Sequence, residues 1–368
     1  MRSAVRQSLT LSMLILICGF TGACRNVSAA RPNRQAPSEA GSLAGPVEAF
    51  GFRLLGEIRR HHQGENLCIS PAGLAAALTM AANGAGGTTR QELEAVLGVA
   101  GRDLAAVNSA WAAILAGHEA VGPGTVVAMA NSMWIRDGFT PKPAFIRTAS
   151  ESYGASCRSL DFRHPGAAGV INDWVRDHTR GRVPGIVDSI SKGTQLMLLS
   201  AVHFSARWAV PFDPAQTRPR DFRLADGSTR PVPMMISESD RYGYLRGEGF
   251  HALKLAYGDG RLSLLLFVPD GHSGLDQFLD RLDSDSWRQW MTRFQPGEAG
   301  VLLPRFQATG SMGLDEALQA VGVVEAFGER ADFRFVSDGK LFMRDVRHAT
   351  RLEVTEEGTV AARGDFND

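Results

Sequence analysis

Leu352-Glu353-Val354-Thr355-Glu356-Glu357-Gly358-Thr359-Val360-Ala361-Ala362, close to the end of the chain, is the stretch on which the reading of the fold turns. Leu352 and Val354 alternate with polar neighbours, as a strand buried on one face requires. Two carboxylates and a glycine then interrupt the alternation, and a run of small side chains follows. Such a run can leave one strand or join another, so the sequence predicts a strand leading into a segment able to change partners. Side chains alternate along a strand. If the small residues entered a sheet, Thr359 and Ala361 would therefore share a face with Arg363 and Asp365. Burying either charge without a partner costs roughly several kcal/mol, and pairing the two offsets that only in part.

Around this stretch lies a chain of ordinary globular composition, with 368 residues, 44% hydrophobic and 21% charged, long enough to bury a sizeable core. Its 39 basic and 39 acidic residues cancel, which argues against nucleic acid and against a polybasic membrane contact. At the N-terminus Arg2 and Arg6 precede the apolar run Leu9 to Phe20 and then small residues, the layout of an export signal over residues 1–30. Val27-Ser28-Ala29 and Ser28-Ala29-Ala30 place cleavage after Ala29 or Ala30. The alternative lies before Cys24, where Thr21-Gly22-Ala23-Cys24 resembles a bacterial lipobox and would give a lipid anchor. The protein is thus expected to be exported, to the periplasm or the extracellular space, free or anchored as a lipoprotein. Residues 31–45, rich in Pro, Ala, Ser and Gly, read as a flexible leader.

From residue 46 no linker divides the chain, which is read as one domain to residue 368. Val47, Phe50, Leu54, Leu55 and Ile58 recur at helical spacing up to Arg59-Arg60-His61-His62. Paired histidines can hold a metal, yet cations are favoured at a helix C-terminus, and no metal is expected. Leu67-Cys68-Ile69 reads as a short strand, followed by Ser70-Pro71 as helix N-cap and first turn. Gly84-Ala85-Gly86-Gly87-Thr88-Thr89 lacks the lysine of a phosphate-binding loop and reads as a turn before a capping box of Thr89 with Glu92. Helices dominate the first half. After the buried run Leu196 to Phe204, strands dominate, with hairpin signals at Asp226-Gly227 and Gly258-Asp259-Gly260 and a long last strand over Leu341 to Val354. Of four cysteines, Cys68 and Cys157 lie in the body and read as two buried thiols. No nucleophile elbow, zinc-protease motif, dinucleotide fingerprint or calcium loop is present, so no enzyme and no cofactor are expected.

The ordered series Asn66 to Pro71, Gly84 to Thr89, Ala130-Asn131-Ser132-Met133-Trp134, Ile171-Asn172-Asp173-Trp174-Val175, Thr179-Arg180-Gly181 and Arg207-Trp208 before Pro211-Phe212-Asp213 resembles the signatures of the serpin family. Ala225 to Ser228, Val232-Pro233-Met234-Met235, Leu303-Pro304-Arg305-Phe306, Asp345-Val346-Arg347-His348 and the stretch after Leu352 complete the series. The resemblance implies a mixed α and β fold with a large central antiparallel sheet, two further sheets and eight or nine helices. It implies a monomeric suicide inhibitor of a serine or cysteine endopeptidase. The loop after the hinge Glu356, Glu357, Gly358, Thr359, Val360, Ala361 and Ala362 is cleaved and then inserts into the central sheet. Ser70, Ser200 and His348 would form the shutter under the opening, and Trp208 the breach at its head. Ser200 stands where the family has asparagine, removing two amide donors. By the same resemblance the scissile bond, the distal loop and the last strands would lie beyond Asp368.

Overall fold

The computed structural model describes residues 14–18, 39–119, 124–224, 227–271 and 274–359. The cleavage positions at Ala29 and Ala30, the lipid anchor at Cys24, the hinge residues Val360, Ala361 and Ala362, and Arg363 and Asp365 lie outside them. In chain order the helices are α1 Ala44–His61, α2 Pro71–Gly84, α3 Gly87–Val96, α4 Leu104–Glu119, α5 Pro143–Tyr153, α6 Ala167–His178, α7 Gly274–Asp280, α8 Ser284–Met291 and α9 Asp315–Ala320. The strands are β1 Leu14–Cys18, β2 Thr125–Arg136, β3 Ser156–Leu160, β4 Leu196–Arg207, β5 Arg218–Arg223 and β6 Thr229–Gly247. They continue with β7 Phe250–Tyr257, β8 Leu262–Pro269, β9 Gln295–Pro304, β10 Phe306–Gly313, β11 Arg347–Val354 and β12 Gly358–Thr359. This is the mixed α and β fold expected from the sequence. The described residues form two compact units, one of residues 39–205 and 308–352, the other of 206–307 with 14–18 and 353–359.

The first unit is built on α2. Ser70 caps it, its Oγ accepting from Gly73 N at 3.2 Å, and Pro71 takes the first helical position. The helix carries no charge and buries almost every residue, as a helix packed on all sides must. Under it, β4 runs parallel to β11, from Leu199 opposite Arg347 to His203 opposite Arg351. β2 runs parallel to β3, from Ser132 opposite Ser156 to Arg136 opposite Leu160. Alternation divides the strands between two cores. Leu196, Leu198, Met133 and Ile135 join the cluster around α2, while Met197, Leu199, Ala201 and Ala349 join Ile171, Trp174 and Val175 of α6.

Three expectations are corrected in this unit. Leu67-Cys68-Ile69 is not a strand but an extended segment without a ladder, held where the Thr350 hydroxyl donates to Cys68 O at 2.8 Å. Thr89 and Glu92 form no capping box, because α3 starts earlier, after Gly86. They serve distant backbone instead: Thr89 Oγ1 accepts from Asp332 N, and Glu92 Oε2 from Val324 N and Glu325 N. The last strand begins at Arg347, not Leu341, because Asp345 has a left-handed backbone, φ 61°, which no strand accommodates. Its carboxylate accepts from Thr194 Oγ1 at 2.6 Å and from Arg347, while Asp315 accepts from Asp345 N and Val346 N.

In the second unit β6 is long enough to pair with β5 near its start, with β9 along its middle and with β7 at its end, with an irregularity between Ser239 and Tyr242. Both hairpin signals are realised, β5 to β6 and β7 to β8. An aromatic core lies beneath, where Phe250, Phe278 and Trp290 meet with ring centroids 4.8 to 5.2 Å apart. Leu14–Cys18, inside the stretch read as an export signal, pairs antiparallel along the outer edge of β8, from Leu14 opposite Phe267 to Cys18 opposite Ser263.

Candidate functional site

The segment Thr355 to Thr359 sits in the second unit, and Trp208 organises it. The indole Nε1 donates to Thr355 O at 2.9 Å, and the Trp208 backbone N–H donates to Glu357 O at 2.9 Å. Its ring stacks on Tyr257 with centroids 4.5 Å apart and an interplanar angle of 11°, and Phe212 meets it edge-on at 6.2 Å. Phe212 N donates to Glu356 O at 2.9 Å. Held this way, the chain turns back at Thr355, whose N–H donates to Gly358 O at 2.8 Å, and Gly358-Thr359 becomes β12. Gly358 lies opposite Arg207 of β4 and Thr359 opposite Val354 of β11, so the first two residues of the small-residue run already pair on both sides. Thr359 is fully buried, with its hydroxyl hydrogen-bonded to the Tyr257 phenol.

Gly358 stands where no side chain fits. A Cβ there would stand 2.1 Å from Ala206 O and 2.8 Å from Arg207 Cα, so only glycine can approach β4 this closely.

Glu356 is the charged anchor. Its side chain is 6% exposed, and its carboxylate accepts from Arg305 Nη2 at 2.5 Å, Arg305 Nε at 3.1 Å and Thr217 Oγ1 at 2.7 Å. Burial raises its pKa, but the Arg305 guanidinium and the Thr217 hydroxyl outweigh burial and hold the carboxyl below its ordinary value. Glu357 contributes through its backbone carbonyl. Arg305, Thr217 and Tyr257 were not singled out from the sequence. Arg305 lies in a quoted signature and Tyr257 directly precedes a hairpin glycine, which are the only signals either carries.

Ser70, Ser200 and His348 come together in the first unit. Ser70 N–H donates to His348 Nε2 at 2.8 Å, and the ring's Nδ1–H donates to the carbonyl of Ser200 at 2.9 Å, which sets the tautomer. Burial pushes the imidazole down to about 4, the Ser200 bond acting in the opposite direction. The serine at position 200 therefore serves His348 through its main chain. Its Oγ is buried and has no partner among the described residues. A hydroxyl in that state opposes folding, so Ser200→Ala is expected to leave the melting temperature unchanged or to raise stability by up to about 1 kcal/mol. A loss above that on thermal unfolding would show that the hydroxyl has a partner.

His61 ends α1, and His62 lies 3.0 Å from Glu65. No cluster able to hold a metal occurs among the described residues. Cys68 and Cys157 are free thiols, and burial pushes Cys157 up to about 12, far from a reactive thiolate. No described helix is long and apolar enough to cross a membrane.

One unit pairs Gly358-Thr359 with β4 and β11, and the other holds the buried His348 between Ser70 and Ser200. The chain belongs to the serpin family: the family described as Serpin (serine protease inhibitor) matches residues 46–365. It is 31% identical over 329 residues to leukocyte elastase inhibitor of Bos taurus, covering 85% of each chain. It is 29% identical over 313 residues to Serine protease inhibitor 42Dd of Drosophila melanogaster, covering 83% of this chain and 82% of the relative. Among solved structures, Serpin48 of Tenebrio molitor superposes with a TM-score of 0.79 at 25% identity over 87% of each chain. Human thyroxine-binding globulin, solved in complex with its ligand, superposes with a TM-score of 0.83 at 24% identity over 89% of each chain, a likeness of fold alone. Membership of this family sets the chain apart from enzymes.

Proposed function

We propose that this protein is an exported serpin-type inhibitor of a serine or cysteine endopeptidase, and that it acts as a suicide substrate by inserting the loop that follows Thr359. The observation that carries this reading is β12. Gly358 and Thr359 already pair with Arg207 on one side and Val354 on the other, so further insertion extends an existing ladder and needs no new nucleus. In this reading Glu356 to Ala362 act as the hinge, Trp208 holds the breach, and Ser70, Ser200 and His348 close the shutter. The N-terminal signal directs the chain to the periplasm or beyond, either free or anchored at Cys24. The test is incubation of the full-length gene product with a panel of serine and cysteine endopeptidases. A detergent-resistant covalent complex with at least one of them is expected. Cleavage across the panel with no complex would overturn inhibition.

A second reading, a non-inhibitory binding protein on the same fold, is favoured by Arg363 and Asp365, which would share a face with Thr359 if the segment entered a sheet as a strand. Melting before and after loop cleavage separates the two. A large rise in midpoint supports insertion, and an unchanged midpoint supports the binding protein.

A further inference from the structure

The chain has four tyrosines, and three of them are buried. Tyr153, Tyr242 and Tyr257 have their phenols bonded to Asn108, Ser237 and Thr359 respectively, and burial raises the pKa of all three. Tyr244 of β6 is the exception, 37% exposed on the outer face of the sheet in the second unit. Its hydroxyl lies 2.7 Å from His251 Nδ1, and the two rings stack with centroids 6.0 Å apart at an angle of 29°. On the far side of the imidazole, His251 Nε2 lies 3.7 Å from Asp270 Oδ1, an ion-pair distance. Because Nε2 faces a carboxylate it carries the ring hydrogen, and Nδ1 is left to accept from the phenol.

Strand register builds this arrangement. The short turn Glu248-Gly249 joins β6 to β7 and sets Tyr244 opposite Leu253 and Arg246 opposite His251. Alternation then puts Tyr244, Arg246, His251 and Leu253 on one face, while Leu245 and Ala252 between them are buried on the other. Asp270 directly follows β8, and its N–H donates to Gly249 O at 2.9 Å, which fixes it beside the turn. Side chains directly opposite across a ladder have Cβ atoms about 5 Å apart, so Arg246 stands within reach of the phenol and the imidazole. Arg246 is exposed and makes no ion pair among the described residues. The bond it receives from Arg293 Nη2, at 3.3 Å, ends on its carbonyl oxygen and does not engage its guanidinium.

We propose that Tyr244 is a site of covalent acylation that accepts the acyl group of a small activated ester or acyl phosphate. His251 takes the phenolic proton, Asp270 positions the imidazole, and Arg246 meets the anionic leaving group. A tyrosine hydroxyl is a weak nucleophile by itself, and an adjacent base is what activates it. The phenol oxygen forms a bond to the acyl carbon while its proton passes to His251 Nδ1. The bond from that carbon to the leaving oxygen breaks, and its electron pair departs with the leaving group. The imidazolium is held against Asp270 until it returns the proton to solvent, and nothing is oxidised or reduced. The Arg246 guanidinium, with its planar fork, stands where negative charge collects. The chain is a stoichiometric acceptor in this step, and the product ester, having lost the hydroxyl hydrogen, no longer donates to His251. None of this rests on the inhibitor reading.

The experiment treats the intact chain with acetyl phosphate and, separately, with p-nitrophenyl acetate, and follows acetylation over time by peptide mass mapping. An acetyl group on Tyr244 from at least one donor is expected, with Tyr153, Tyr242 and Tyr257 unlabelled. Tyr244→Phe should remove that label and no other. His251→Gln should slow it by about tenfold or more. Asp270→Asn should slow it about threefold and shift the inflection of the rate's pH profile to lower pH, because the imidazolium loses its carboxylate, and Asp270→Glu should restore part of the rate. Arg246→Gln should slow transfer from acetyl phosphate about tenfold and leave transfer from p-nitrophenyl acetate within about twofold. Asp270 and Arg246 are exposed, so their variants test the relay even if His251→Gln fails to fold. Acetylation confined to lysines, or a Tyr244 rate unchanged by His251→Gln and by Asp270→Asn, overturns the site. Undiminished transfer from acetyl phosphate in Arg246→Gln overturns the part given to Arg246. Failure of the inhibitor reading would appear elsewhere, as loop cleavage without a covalent complex, and would leave these rates as predicted.

Discussion

Lowering the pH from 7 to 5 should destabilise this protein steeply, because unfolding releases two imidazoles whose pKa burial depresses in the fold. His203 and His348 are each about 1% exposed, and each is held at a pKa of about 4 against 6.5 when unconstrained. For a histidine whose folded pKa is depressed, the unfolded chain binds the extra proton. The contribution to stability is complete above pH 6.5 and is lost as the pH falls towards 4. Each group carries about 3 kcal/mol across that window, so the unfolding free energy should fall by about 1.4 kcal/mol per pH unit per histidine. Denaturant unfolding at several pH values between 7 and 5, where most carboxylates stay charged, reads this slope directly. His348→Gln should remove about half of it, at a cost in absolute stability from the bonds to Ser70 and Ser200. A slope unchanged by His348→Gln would show that the imidazole is protonated in the fold. Glu356 fails later on the same descent. Its pKa is held below 4.5, so the anchor it makes with Arg305 is present above that value and is lost only as the pH falls through the depressed one.

Gly358→Val should eject β12. The added Cβ would lie 2.1 Å from Ala206 O, and that neighbour is backbone in a paired strand, which cannot move aside as a flexible side chain could. The pairing with Arg207 and Val354 and the Thr359 bond to Tyr257 would be lost together, a local cost of about 2–4 kcal/mol. Because Trp208 stacks on Tyr257 and donates to Thr355, its fluorescence reports the departure. In the endopeptidase assay the variant should be cleaved without forming a complex, since the ladder to be extended is gone. Complex formation at the wild-type rate would show that insertion does not begin from β12.

How much of this could be read from the sequence depended on whether a residue's partner was local. Ser70-Pro71 announced α2, because a cap and the helix it caps are adjacent. The alternation at Leu352 and Val354 marked the end of β11, and the glycine after two carboxylates marked the start of β12. Thr89 and Glu92 misled, since their spacing fits a capping box while the backbone that Thr89 serves is 243 residues away. Arg305 was invisible as the partner of Glu356, for one arginine among 39 basic residues carries no mark of a pairing with a distant carboxylate. The last strand was read too long because an apolar alternation does not reveal one left-handed residue, here Asp345. The role of Ser200 was hidden for a different reason: His348 uses its carbonyl, and every residue has one.

The pairing of Leu14–Cys18 with β8 bears on how the protein is handled. β8 is apolar on both faces, and its far side offers a row of backbone donors and acceptors that these five residues engage. Cleavage of the proposed signal removes that cover, and a recombinant chain begun at Val47 would lack it as well. Purification tags, truncation points and storage concentration then become structural variables, because any extended apolar segment brought near, including one from a neighbouring molecule, meets a sheet with room for one more strand.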